Sequence, residues 1–172
     1  LKPFSTVSNN NIEIKLSTSI NKLKKSHENL APVQKETKLP SMRCGLMNCR
    51  SVKSKPSVIC DFIQEKQLDC VALTETWLSD NHDDNRVVLS SLVPNNCDIL
   101  HVPRGSRGGG VGFIYNNCFK AKLDTSLKFS SFESQTVLLD CSSFTFRFII
   151  IYRVPPSAKN KIAKHSFIDE LG

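Results

Sequence analysis

Two short polar stretches, each at the end of an apolar run, contain residue types that could form a metal-binding or catalytic centre. Residues 70–73 have the composition of a buried strand, and Glu75 follows them after Thr74. A second apolar run ends at Asn48. Open α/β sheets place ligands beyond the carboxyl ends of their strands, so Asn48 and Glu75 could build one polar site. The alternative is that Glu75 caps the following segment and Asn48 caps a turn.

A carboxylate in such a place suits a hard cation such as Mg²⁺, which takes one or two carboxylates together with waters and phosphate oxygens. Tyr152 and Arg153 end another apolar run and could reach a phosphate, or be an edge aromatic and a solvated arginine. Arg104 and Arg107 flank three glycines and could contact a phosphate backbone, or be solvated loop residues. Trp77 is interpreted as a packing residue.

The glycine run at residues 108–110 does not have the pattern of a phosphate-binding loop. It lacks a following Gly-Lys-Ser/Thr, and the apolar pattern after it predicts a strand rather than a helix. A tight turn with a close backbone approach is the better interpretation.

The elements that would position Asn48 and Glu75 have the pattern of a βαβ unit. Residues 42–49 predict a strand, Pro56 lies in the first turn of a helix, and residues 68–74 predict a second strand. Further strands are predicted over 98–102, 111–115, 119–123, 136–141 and 145–152, with a loop over 80–84 and helices from Val87 and over 164–171. The apolar run 148–152 predicts a central strand covered on both faces. The fold class is therefore α/β.

The composition is that of one globular domain with a basic excess. The chain has 172 residues, 40% hydrophobic and 23% charged, with a net charge of +7. Residues 1–40 have seven Lys and three Glu, net +4, and residues 41–172 have sixteen basic and thirteen acidic residues, net +3. A basic excess suits an acidic partner such as nucleic acid, or a solvated basic surface. Residues 1–40 predict a disordered leader, with a weak helix over 14–30 as the alternative.

The cysteine pattern predicts an intracellular protein, nuclear or cytoplasmic and not secreted. The seven cysteines include no Cys-x-x-Cys pair, and several lie in apolar runs, which is typical of reduced, buried thiols. No stretch approaches the roughly 20 apolar residues of a membrane span, so no membrane association is expected.

Four motifs in order resemble the endonuclease domain of non-LTR (LINE-type) retrotransposons. They occupy residues 48–51, 73–78, 107–112 and 151–156, and the resemblance covers residues 42–172. That domain belongs to the endonuclease/exonuclease/phosphatase superfamily, together with apurinic endonucleases and DNase I. The resemblance implies a four-layer α/β sandwich of two packed sheets flanked by helices. It also implies Mg²⁺- (or Mn²⁺-) dependent hydrolysis of DNA, which nicks a target, and a reverse transcriptase domain in the full-length parent.

The resemblance also implies roles for individual residues. Glu75 would be the metal ligand, with Asn48 beside it to orient the metal and the catalytic groups. Tyr152 would contact the scissile phosphate, and DNA contacts would come from Arg50, Arg104, Arg107 and Arg153. Val154 stands where the family has the first proline of Tyr-Arg-Pro-Pro, which we expect to be a mild change.

The family's later motifs, Gly-Asp-x-Asn and Ser-Asp-His, do not occur before Gly172. They supply the carboxylate that activates water and a histidine that contacts the phosphate. We therefore expect the N-terminal part of such a domain over residues 41–172, an incomplete sandwich and an inactive enzyme as given. The alternatives are a non-catalytic nucleic-acid-binding remnant and a non-functional gene fragment.

Overall fold

The computed structural model describes residues 11–14, 41–105, 108–141, 144–155 and 164–171, with backbone alone at 11–14, 82–83, 164–165 and 171. Over these ranges two β-sheets pack face to face, and helices cover the outer face of the larger sheet. The elements are β1 (Asn11–Ile14), β2 (Met42–Asn48), α1 (Pro56–Glu65), β3 (Cys70–Thr74), α2 (His82–Leu92), β4 (Cys97–Val102), β5 (Val111–Asn116), β6 (Lys120–Leu123), β7 (Glu133–Cys141), β8 (Phe144–Tyr152) and α3 (Lys164–Leu171). The α/β class with two packed sheets is confirmed.

The predicted βαβ unit is confirmed in β2, α1 and β3. Strands β2 and β3 are parallel, and their register places Asn48 opposite Thr74. Helix α1 begins at Pro56 and buries Ile59 and Ile63, which lie one turn apart on the face toward the sheet. The register therefore brings Asn48 beside the residue that precedes Glu75.

The larger sheet has the order β1-β2-β3-β5-β4, and its two faces form separate cores. Because side chains alternate along a strand, Val71 and Leu73 of β3 face α1 and α2, while Cys70 faces the second sheet. Strand β5 lies between two neighbours, and its residues Val111–Tyr115 are all buried. This central strand follows the glycine run, so the run is held at the edge of a rigid core.

The second sheet has the order β6-β7-β8, so β8 forms an edge in the described part of the chain. The described residues therefore do not show the predicted central, doubly covered strand. Phe148 and Ile150 face the larger sheet, but Ile149 is 46% exposed on the opposite face. A continuous apolar run does not distinguish a strand covered on both faces from an edge strand with one apolar outer face.

Larger differences from the sequence prediction occur at three other places. Helix α2 already begins at His82, so the predicted loop over 80–84 is helical in its second half. Strand β7 begins at Glu133, three residues before the predicted start. Asn11–Ile14 of the predicted leader pairs with β2 as an antiparallel edge strand, and the rest of residues 1–40 lies outside the described residues.

Helix α3 is fixed to the loop before β7. The carboxylate of Glu170 accepts hydrogen bonds from the backbone and side chains of Ser130 and Ser131, and Phe167 packs edge-on against Phe132. All seven cysteines are free thiols, four of them buried. Within the described ranges, no helix combines the length and the apolar character needed to cross a membrane.

Candidate metal and phosphate site

Two side chains from different strand ends, those of Asn48 and Tyr152, meet at the carboxylate of Glu75. The Tyr152 hydroxyl donates to Oε1 at 2.6 Å, and the Asn48 Nδ2 donates to the same oxygen at 2.9 Å. In the part of the chain that the structure describes, no hydrogen-bond donor contacts the other oxygen, Oε2. The predicted residues Asn48, Glu75 and Tyr152 are thus brought together, with one carboxylate oxygen left for a ligand.

The segment that carries Glu75 is held by backbone pairing that continues beyond the parallel strands. The N–H of Ser51 donates to the Glu75 carbonyl at 2.8 Å, and the N–H of Val52 donates to the Thr76 carbonyl at 3.0 Å. Ser51, Glu75 and Trp77 have φ values of +83°, +54° and +56°, in the left-handed region. Non-glycine residues in this region are strained, and such strain concentrates at functional sites.

The glycine run forms the other side of the same segment. The N–H groups of Thr76 and Trp77 donate to the carbonyls of Gly110 and Gly109 at 3.1 and 2.8 Å. A Cβ at Gly110 would lie 2.7 Å from the Thr76 Oγ1. The close backbone approach predicted for the glycine run is therefore present, and it positions the residues that follow Glu75.

Glu133 completes this arrangement, and the sequence analysis missed it. Its Oε2 accepts the N–H of Gly110 at 2.5 Å, and its Oε1 lies 3.2 Å from the Arg104 Nε. Glu133 is paired with Tyr152 across β7 and β8. From the sequence alone, a single Glu at the start of a strand cannot be distinguished from an ordinary surface residue. Its importance depends on the pairing register, which the sequence does not reveal.

The electrostatics of the site keep Tyr152 protonated. Burial, the hydrogen bond to Glu75 and the negative charges of Glu75 and Glu133 raise the pKa of the Tyr152 hydroxyl to about 12. The phenol is therefore a neutral hydrogen-bond donor at physiological pH. It can bind an anionic oxygen, but it cannot take a proton from water.

The candidate DNA-contacting arginines have different surroundings. Arg50 is exposed, and its backbone N–H donates to the Asn48 Oδ1 at 3.2 Å. Arg104 is paired with Glu133, and the Arg153 guanidinium lies 5.0 Å from the centroid of the Phe167 ring. Arg107 lies outside the described residues. Their role in DNA binding stays a prediction.

The donor set fits a hard divalent cation that keeps most of its coordination sphere for water and substrate. One carboxylate oxygen of Glu75 is open, and the Asn48 amide lies beside it. The described residues contain no group of three His, Cys, Asp or Glu side chains that could enclose a metal. A Mg²⁺ site with one or two carboxylates and substrate phosphates matches this set, whereas a closed protein cage does not.

The structure corrects the interpretation of Trp77 as a packing residue. Its side chain is 41% exposed, and the indole lies against Gly108, where an added Cβ would be 3.6 Å from Nε1. The residue thus presents a large aromatic surface to solvent two positions after Glu75.

A comparison with solved structures finds the same fold in an AP endonuclease from Leishmania major. The match has a TM-score of 0.51 at 17% identity and covers 64% of this chain. The chain spans 40% of the length of that protein. No protein-family model matches the chain, and no curated protein matches it. The likeness shows a DNase I-like α/β fold.

Proposed function

We propose that this chain carries the metal- and phosphate-binding part of a Mg²⁺-dependent DNA endonuclease of the non-LTR (LINE-type) retrotransposon kind. The observation that supports this most is the convergence of Asn48 and Tyr152 on one oxygen of Glu75 at strand ends. The DNase I-like fold and the net charge of +7 also favour a DNA partner. By the same proposal, the full-length parent carries a reverse transcriptase domain.

Each residue of the centre has a definite task in this proposal. Glu75, with the Asn48 amide beside it, would hold the cation, and Asn48 keeps the carboxylate oriented. The Tyr152 hydroxyl, whose single proton is donated to Glu75 in this structure, would turn to donate to an oxygen of the scissile phosphate. A divalent cation bound there supplies the positive charge that neutralises the phosphate and the leaving oxygen.

Hydrolysis also needs a group that activates water, and the hydrogen-bond partners of Glu75 do not provide one. The Tyr152 phenol is protonated at neutral pH, and the Asn48 amide is not a base. We therefore expect the 172-residue chain to bind a cation and DNA but to hydrolyse DNA poorly. A water-activating carboxylate or imidazole would have to come from groups other than these three.

The proposal is tested by DNA binding with and without the cation. Anisotropy of a labelled DNA duplex should show tighter binding in Mg²⁺ than in EDTA, and Glu75→Gln should abolish the difference. Glu65→Gln is the matched control, because it makes the same charge change at the exposed end of α1. Plasmid nicking is measured alongside, and clear nicking by the wild-type chain that persists undiminished in Glu75→Gln would contradict the proposal.

Two other outcomes would favour the rival hypotheses. Salt-dependent DNA binding that is indifferent to Mg²⁺ and to Glu75→Gln would indicate a non-catalytic nucleic-acid-binding remnant. A folded chain that binds neither DNA nor cation would indicate a non-functional fragment. Either result would overturn the endonuclease proposal.

A further inference from the structure

A cleft of about 400 Å³ is lined by residues that include Lys53, Trp77 and Asp80. This volume lies within the range of ligand sites in proteins. Trp77 follows Glu75 by two positions in the chain. None of these three side chains takes part in the hydrogen bonds to the Glu75 carboxylate. The cleft is therefore a separate feature that the metal and phosphate chemistry does not explain.

The walls of the cleft are held by the backbone, so its shape is largely formed in advance. Trp77 is fixed by its N–H bond to the Gly109 carbonyl at 2.8 Å. Ser79, another lining residue, is held by the buried amide of Asn85, which accepts the Ser79 N–H at 3.1 Å and donates to the Ser79 carbonyl at 2.8 Å. A preformed site loses little conformational freedom when a ligand binds.

The chemistry of the lining matches one class of ligand. The 41% exposed indole of Trp77 offers a flat surface for an aromatic ring. The exposed ammonium of Lys53 can pair with a phosphate, and the exposed carboxylate of Asp80 can accept a hydrogen bond from an N–H group of a base. Stacking on an aromatic side chain next to a cation is the usual way in which proteins bind single-stranded nucleic acid.

We propose that this cleft binds an unstacked nucleobase of the DNA strand, with the base on Trp77 and the adjoining phosphate on Lys53. The inference rests on the proposed function, since it places this base next to the phosphate at the Glu75 centre. Two residues of chain span at most about 7 Å, so Trp77 lies within reach of the nucleotide beside that phosphate. The cleft would favour sites whose bases unstack easily.

The chain contains a single tryptophan, so its fluorescence reports on Trp77 alone. The probes are a thymidine oligonucleotide of about eight nucleotides and an abasic oligonucleotide of the same length, both in EDTA so that no hydrolysis occurs. The thymidine oligonucleotide should quench the fluorescence and bind about tenfold more tightly than the abasic one. Equal quenching and equal affinity would overturn the proposal.

Variants locate the contact, with anisotropy of labelled oligonucleotides as the readout. Trp77→Leu should abolish the preference for the oligonucleotide with bases, and Trp77→Phe should keep most of it. Phe144→Leu is the matched control, because Phe144 is an aromatic residue of β8 with a similar exposure of 44%. Loss of the preference in Phe144→Leu, or its persistence in Trp77→Leu, would contradict the assignment.

The role of Lys53 is tested by a second pair of variants. Lys53→Ala should weaken the binding of both oligonucleotides to a similar degree, because it removes a phosphate contact rather than a base contact. Lys66→Ala removes another exposed lysine, at the end of α1, and should not weaken the binding of either oligonucleotide. Equal weakening by the two variants would refute a specific contact at Lys53.

Failure of this inference differs from failure of the proposed function. Glu75→Gln should leave the preference for bases intact while it abolishes the Mg²⁺ effect on duplex binding. If Mg²⁺ has no effect on duplex binding by the wild-type chain but the preference for bases is present, only the endonuclease proposal is overturned. An Mg²⁺ effect without any base preference would overturn the Trp77 assignment alone.

Discussion

Gly110→Ala should destabilise the protein through a steric conflict at the candidate site. Gly110 has a φ of +84°, and an added Cβ would lie 2.7 Å from the Thr76 Oγ1. The left-handed backbone costs an alanine about 1–2 kcal/mol, and forcing an atom into a packed site costs about 1–3 kcal/mol. The expected loss in the free energy of unfolding is therefore about 2–5 kcal/mol.

Gly105→Ala separates the two contributions to this loss. Gly105 has a φ of +70°, but the nearest atom to an added Cβ is the Asp80 Oδ2 at 3.9 Å. Gly105→Ala should therefore lower the free energy of unfolding only by the cost of the left-handed backbone, about 1–2 kcal/mol. A second control uses Thr76→Ala as the background, which removes the conflicting oxygen, so Gly110→Ala should cost about 1–3 kcal/mol less there.

The assay is urea unfolding of the four variants and the wild type, analysed for free energy and slope. Equal costs for Gly110→Ala and Gly105→Ala would refute the steric argument. A cost of Gly110→Ala that is unchanged in the Thr76→Ala background would also refute it, because the structure assigns the conflict to the Thr76 hydroxyl.

Three further predictions concern carboxylates and a phenol. In a Tyr115→Phe variant, where Tyr152 is the single tyrosine, ultraviolet titration should place its pKa at about 12, and a midpoint at 10 would contradict this. Glu133→Gln should lower that pKa and cost about 1–2 kcal/mol in urea unfolding, whereas Glu65→Gln should do neither. The hydroxyl and backbone N–H groups of Ser130 and Ser131 hold the pKa of Glu170 near 2. Because this value lies below the ordinary 4.5, the stabilisation by Glu170 is complete above pH 4.5 and disappears as the pH falls toward 2. Glu170→Gln should therefore lower the melting temperature at neutral pH and match the wild type near pH 2, and a pH-independent difference would contradict it.

The sequence was sufficient for the parallel βαβ unit and for the residues at its strand ends. Spacing of apolar residues and the proline in the first turn of α1 predicted strand, helix and strand, and parallel pairing then placed Asn48 near Glu75. These features are local, or depend on a connection of known geometry. The role of Tyr152 could not be predicted from local patterns, because its contact with Glu75 joins residues 77 positions apart. The resemblance to a family supplied that prediction.

The parts that the sequence did not predict depend on long-range pairing and on exposure. The role of Glu133 follows from its pairing with Tyr152 and from its bond to the Gly110 N–H, neither of which has a local signal. The position of β8 at an edge within the described residues depends on which strands lie beside it. Trp77 is exposed and has a left-handed backbone that is unusual for a tryptophan, and neither feature has a local signal in the sequence.

The central claim is that Glu75 is the ligand of a divalent cation at a phosphate-binding site. Electron paramagnetic resonance of Mn²⁺, measured with the wild-type chain and a short DNA duplex, tests this directly because it counts bound ions. The account predicts one Mn²⁺ site in the wild type and in Glu65→Gln, strengthened by the duplex, and its loss in Glu75→Gln. Mn²⁺ binding that is equal in Glu75→Gln and the wild type would contradict the account.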